Sequence, residues 1–135
     1  MAFSTRDKEV LRRLAAEYME FALLPVQKEK IELWKALNRG KMVRPMVLID
    51  QLPWNELNIN DELTLQVEDP FWRGFEDGLR KQIYQWRHFP VDMVLDPYLT
   101  VPLAAGFSGY GLSPHVDILN YDRTSGVNAQ HFENH

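Results

Sequence analysis

Arg44-Pro45-Met46-Val47-Leu48-Ile49-Asp50 is the stretch on which the reading of the fold turns. Before it, apolar residues recur every three or four positions. Here that period stops and Met46 to Ile49 form a continuous apolar run closed by an acid. Such a run has the character of a short strand covered on both faces.

Towards the N-terminus, Val10, Leu11, Leu14, Ala15, Tyr18, Phe21 and Ala22 fall on one helical face. Ser4 or Thr5 can cap that helix, which is expected to run to about Leu24. Pro25 interrupts the pattern and suits the first turn of a second helix, with Ile31, Trp34 and Leu37 on one side. Gly40 supplies the stop, and Lys35, Arg39 and Lys41 lie where the helix dipole favours cations. The two helices are expected in antiparallel or angled contact.

Towards the C-terminus, residues 51 to 66 are polar and turn-rich, with a short strand expected at Leu63 to Val67. Asp69-Pro70 is a helix start, because Asp accepts from free amides and Pro is pre-set for the first turn. Phe71, Phe75, Leu79, Ile83 and Trp86 carry that helix to about His88. After Pro90, Val91 to Leu95 reads as a second strand and Val116 to Tyr121 as a third. A strand, a crossover helix and another strand imply a parallel, right-handed βαβ unit. The expected fold class is therefore α/β, with a helical lead-in over 1–43 and an α/β section over 44–135 in one compact domain.

Composition narrows the function. A chain of 135 residues with 45% hydrophobic and 25% charged residues can build a core. The net charge of −4 argues against a general nucleic-acid binder, which needs a basic face. Having no cysteine excludes disulfides, thiolate nucleophiles and Cys-based zinc sites. The N-terminus lacks a secretory pattern and the apolar runs are too short to cross a bilayer, so a cytoplasmic protein with no membrane partner is expected.

Asp50 and Asp96 each follow a candidate parallel strand, at the end where α/β folds place their sites. Such acids could orient a substrate, hold a metal or move protons; acids before turns also simply cap loops. Trp54 and Glu56 lie on the loop after the first candidate strand, and Tyr98 follows Asp96. His131 and His135 stand four apart, but their order does not match a zinc-protease motif. The Gly106–Gly111 loop lacks the residues of a phosphate cradle, and Ser108 and Ser125 lie in no nucleophile elbow. Arg73, Glu76, Asp77, Arg80, Lys81 and Arg87 alternate in sign along the third helix, as a solvated face does.

Leu33-Trp34-Lys35-Ala36-Leu37-Asn38 followed by Arg44 to Asp50 resembles the opening of the uroporphyrinogen decarboxylase superfamily. Asp61 to Leu65, Glu68 to Phe71, Tyr84 to His88 and Val91 to Val94 are similar to its branch of corrinoid-dependent methyltransferases. The resemblance spans nearly the whole chain and rests mainly on the order of the segments. It implies two N-terminal helices followed by the first βαβ elements of a TIM-barrel-like fold, a partial barrel. It further implies methyl transfer from a methylated donor to a corrinoid protein, and zinc in the full-length family. Asp50, Trp54, Glu56, Asp96 and Tyr98 are the residues expected to contact substrate, with no catalytic set and no cofactor in this chain. Where a decarboxylase carries arginines after its first strand, this chain has Asp50-Gln51-Leu52-Pro53-Trp54, and the acid would repel a porphyrinogen carboxylate. A full barrel takes about 250 residues, so a non-catalytic front section is expected, associating with the remainder of a barrel or as a homo-oligomer. The alternative is a free-standing dimerisation or partner-docking module.

Overall fold

The computed structural model describes residues 4–101, 116–121 and 128–132. They fall into two compact units, one drawn from Met1–Gln51 with Asn58–Leu99 and the other from Leu52–Leu57 with Thr100–His135.

In the first unit the three helices start where the sequence places them. Helix α1 (Thr5–Ala22) is capped by Ser4, whose hydroxyl accepts from Asp7 N at 3.0 Å. Helix α2 (Pro25–Asn38) has proline in its first turn and ends before Gly40, whose φ of +72° needs no Cβ to be avoided. Helix α3 (Pro70–His88) is capped by Asp69, which accepts from Phe71 N and Trp72 N at 3.0 and 3.2 Å. The main helical partner of α1 is α3 rather than α2. Val10, Leu14, Tyr18 and Ala22 of α1 meet Leu79 and Ile83 of α3, and Val67, Met93 and Leu95 close the core. Among the described residues no helix is long and apolar enough to cross a membrane.

The expected α/β class does not hold. Between residues 4 and 101 every regular element is helical, with two short 3-10 turns at Trp54–Glu56 and Ile59–Asp61. Met46–Ile49, Leu63–Val67 and Val91–Leu95 are not strands. Consequently no βαβ unit and no TIM-barrel-like section is present among the described residues. Described strands occur in the second unit alone, where β1 (Val116–Tyr121) pairs antiparallel with β2 (Asn128–Phe132). Their register shifts between Ile118 and Asn120, so one residue bulges from the ladder. His131 lies on β2, where a four-residue helical spacing has no meaning; His135 and the Gly106–Gly111 loop lie outside the described residues.

Each failed strand has a physical reason. A strand needs its backbone groups free for a neighbouring strand, and here side chains take them. Val47 N donates to Asp92 Oδ2 at 2.8 Å, and Gln85 Nε2 donates to Ile49 O at 2.7 Å. One backbone bond, Asp92 N to Val47 O at 3.1 Å, joins the two segments, and one bond is not a ladder. Gln66 N and Val67 N donate to the Glu76 carboxylate. Val91 has a φ of +40°, a left-handed conformation that excludes it from a strand and is rare for a β-branched residue.

Candidate functional site

The first unit is a small helical frame with extended segments pinned to it by buried polar side chains. Glu76 is fully buried on α3. Its Oε1 accepts from Gln66 N and Arg80 Nε, both at 2.8 Å, while Oε2 accepts from Gln66 N at 3.0 Å and Val67 N at 2.8 Å. Arg80, also buried, donates Nη1 to Glu62 O at 3.0 Å and leaves Nη2 as a buried side-chain atom without a partner. Asp7 lies within reach of Glu68 N and Asp69 N at 3.3 and 3.5 Å. Gln27 accepts from Leu95 N and donates to Phe21 O, each at 2.9 Å.

Asp92 is a second hub of such contacts. Its carboxylate receives Arg44 through both guanidinium arms, at 2.6 and 3.0 Å, together with Val47 N. Its carbonyl accepts from the Trp34 indole at 2.8 Å. The hydrogen bonds from Arg44, then that from Val47 N, hold the Asp92 carboxyl down at about 2. Nearby, Lys30 donates to Val91 O at 2.6 Å and lies 4.7 Å above the Trp86 ring. Burial pushes the Lys30 ammonium below the usual lysine range.

These ties shape a solvent-open groove of about 500 Å3. Trp34 comes from α2, Leu48, Ile49 and Asp50 from the first extended segment, Gln85 from α3, and Met93 and Val94 from the second extended segment. The walls are mostly apolar, and the exposed Asp50 contributes the one carboxylate of the lining. Such a groove can hold an apolar molecule and orient it by one charged or hydrogen-bonding group. It offers no nucleophile and base pair within its lining.

The residues expected to form a site are thus divided. Asp50 lies on the groove. Asp96 and Tyr98 are exposed and lie outside its lining. The Asp96 carbonyl accepts from the Tyr18 hydroxyl at 2.8 Å. Burial first, then the Asp96 charge and Tyr98, push the Tyr18 phenol above its ordinary value. Trp54 and Glu56 belong to the 3-10 turn of the second unit. Without parallel strands, the placement of Asp50 and Asp96 at a common strand edge loses its basis.

Sequence reasoning missed Trp34 and Gln85 as groove residues, and it read Glu76 and Arg80 as solvated. Leu79 and Ile83 do signal that burial, since 76, 79, 80 and 83 share one helical face. Among the described residues no group of three His, Cys, Asp or Glu side chains could hold a metal ion. Comparison with family models, curated proteins and solved structures finds no match.

Proposed function

We propose that this chain is a non-catalytic section of a uroporphyrinogen decarboxylase-like, corrinoid-dependent methyltransferase, and that the Asp50 groove is a piece of its substrate-pocket wall. One observation carries the reading. Four of the segments that bear the resemblance, 33–38, 44–50, 84–88 and 91–94, converge on this single groove, and each contributes lining residues. They do so without forming strands, so the reading rests on shared pocket residues and not on a barrel. The zinc that the resemblance implies does not fit the residues present, because the sequence has no cysteine and no ligand cluster occurs among the described residues. This chain is therefore assigned substrate contact alone, with Asp50 orienting the donor and Trp34, Leu48 and Met93 packing on its apolar part.

Titration with a neutral methoxyphenol and with a trimethylammonium compound, followed by NMR, tests it. Saturable binding of one of them should move the Trp34 indole signal, and Asp50→Ala should change its affinity by about tenfold, the scale of one charged contact. Binding that ignores Asp50→Ala, or no binding of either donor, would refute the proposal.

The exposure of Val43 at 74%, Val47 at 50% and Leu48 at 57% favours a second reading, in which the segment around them is a dimerisation or partner-docking face. Light scattering separates the two: a dimer lost on Leu48→Ser would favour docking, and a monomer would count against dimerisation.

A further inference from the structure

Helix α2 is tied to the rest of the first unit along one side. Gln27, Lys30 and Trp34 lie there, donating to Phe21 O, Val91 O and Asp92 O respectively. Spacings of four, three and four place Lys28, Glu32, Lys35 and Arg39 on a different side, and all four are exposed.

The helix ends in a Schellman turn, in which Gly40 N donates to Leu37 O at 3.0 Å and Lys41 N to Ala36 O at 2.8 Å. Such a turn is commonly closed by an apolar contact from the residue after the glycine back to the last helical turn. Here that residue is Lys41. The apolar pair comes one step later, as Met42 and Val43, which are 56% and 74% exposed.

Positive charge is concentrated at the same place. Positions 25–49 hold six Lys and Arg against two acids, a net +4, whereas the rest of the chain carries −8. Three of these cations are engaged: Lys30 with Val91 O, Lys35 with Glu32, and Arg44 with Asp92. Arg39 adds its charge to the Lys35 hydrogen bond that holds the Glu32 carboxyl low. Lys28, Arg39 and Lys41 make no salt bridge to any described residue. Of the nearby acids, Glu32 and Asp92 are taken up by Lys35 and Arg44, while Glu29 and Asp50 are exposed. The helix dipole favours cations at this end, but its half charge is outweighed by Lys35, Arg39 and Lys41 together. It also gives no reason for Met42 and Val43 to face water.

We infer that the end of α2, from Lys35 to Val43, is a peripheral contact site for a membrane surface of anionic phospholipid. Met42 and Val43 enter the headgroup boundary, while Arg39 and Lys41 hold lipid phosphates and carboxylates. Lys28 extends the contact along the helix. An exposed apolar pair set among cations is the composition of such contacts, which need no spanning helix. The −8 of the remaining chain is repelled by the same surface, so this end is the one that faces it. A second copy of the chain is a poorer occupant, because a two-fold contact would oppose like charges. An acidic protein is poorer too: protein hot spots favour Trp, Tyr and Arg and seldom use valine, whereas acyl chains accept any aliphatic side chain. The site shares no residue with the lining of the Asp50 groove and does not depend on the substrate reading.

Co-sedimentation with vesicles of mixed phosphatidylserine and phosphatidylcholine provides the test, with pure phosphatidylcholine as the neutral arm. The chain should pellet with the mixed vesicles alone and leave them as salt rises. Arg39→Glu with Lys41→Glu should weaken binding about tenfold or more, and so should Met42→Ser with Val43→Ser. All four residues are exposed, and circular dichroism checks that the variants keep their helices. Because the chain has no cysteine, Met42→Cys offers a single attachment point for an environment-sensitive dye, whose emission should shift to the blue on the mixed vesicles. No binding to the mixed vesicles, or binding indifferent to either pair of changes, overturns the inference. An unshifted dye does the same, since position 42 would then remain in water. So does polyglutamate that displaces the vesicles by binding through Met42 and Val43, or self-association in analytical ultracentrifugation that the serine pair abolishes.

Discussion

Replacing Glu76 by glutamine changes one atom and should remove a large part of the stability of the helical unit. Glu76 is fully buried and both its oxygens face donors: Gln66 N and Arg80 Nε at Oε1, Gln66 N and Val67 N at Oε2. Whichever oxygen becomes an amide NH2 group, a donor then points at a donor. Arg80, with 8% of its side chain exposed, also loses its counter-charge. Breaking a buried pair by removing one partner costs about 3–5 kcal/mol, against a total of roughly 5–15 kcal/mol for a domain. With a urea m-value of about 1.5 kcal/mol/M, the unfolding midpoint should fall by roughly 2–3 M. Far-UV circular dichroism in urea measures it. Arg80→Met should also be costly, because it leaves the buried Glu76 carboxylate with its backbone donors but without a counter-charge. If Glu76→Gln shifts the stability by less than about 1 kcal/mol, the pinning argument fails.

The Asp92 carboxyl, held at about 2 by Arg44 and Val47 N, titrates near 3.9 when unfolded. Its stabilising contribution is complete above the unfolded value and disappears as pH falls through the folded one. Urea midpoints should therefore drop between about pH 4 and pH 2, and Asp92→Asn should lack that component. Tyr18→Phe removes the hydroxyl bond to Asp96 O and should cost about 0.5–1.5 kcal/mol in thermal or urea unfolding; a neutral result would show that bond to be idle. Leu14→Ala, at a core position 5% exposed, should cost about 2–5 kcal/mol by the same measurement. Val91→Gly relieves the left-handed backbone at 91 and should be neutral or stabilising by about 1 kcal/mol, whereas a clear loss would show that the Val91 side chain contributes more than its conformation costs.

Helix boundaries were legible because their causes are local. Ser4, Pro25, Asp69-Pro70 and Gly40 act within a few residues of themselves, and each marks a helix end as the sequence indicates. The strands were misread because an apolar run says only that side chains want burial. It does not say which group will take the backbone N–H. That depends on Asp92, 45 residues from Val47, and on Gln85, 36 residues from Ile49. The ambiguity also hid the groove: Asp50 was visible as an acid ending an apolar run, whereas Trp34 and Gln85 join it only through tertiary bonds. Glu76 and Arg80 looked like a surface pair because an i, i+4 spacing reads the same on either face of a helix.

The same accounting links the fold to the groove. Extended segments without strand neighbours must still satisfy their buried backbone groups, and in this chain helical side chains and one aspartate do much of that. Asp92 binds Arg44 and Val47 through its carboxylate, Trp34 through its carbonyl, and Val47 again through its amide. Three of the four segments that line the groove thus meet at one residue, and Gln85 attaches the fourth through Ile49 O. Removing the Asp92 carboxylate would free Arg44 and Val47 N together. The groove should then loosen as a unit, with Trp34 and Leu48 losing their fixed positions at the same pH rather than one after the other.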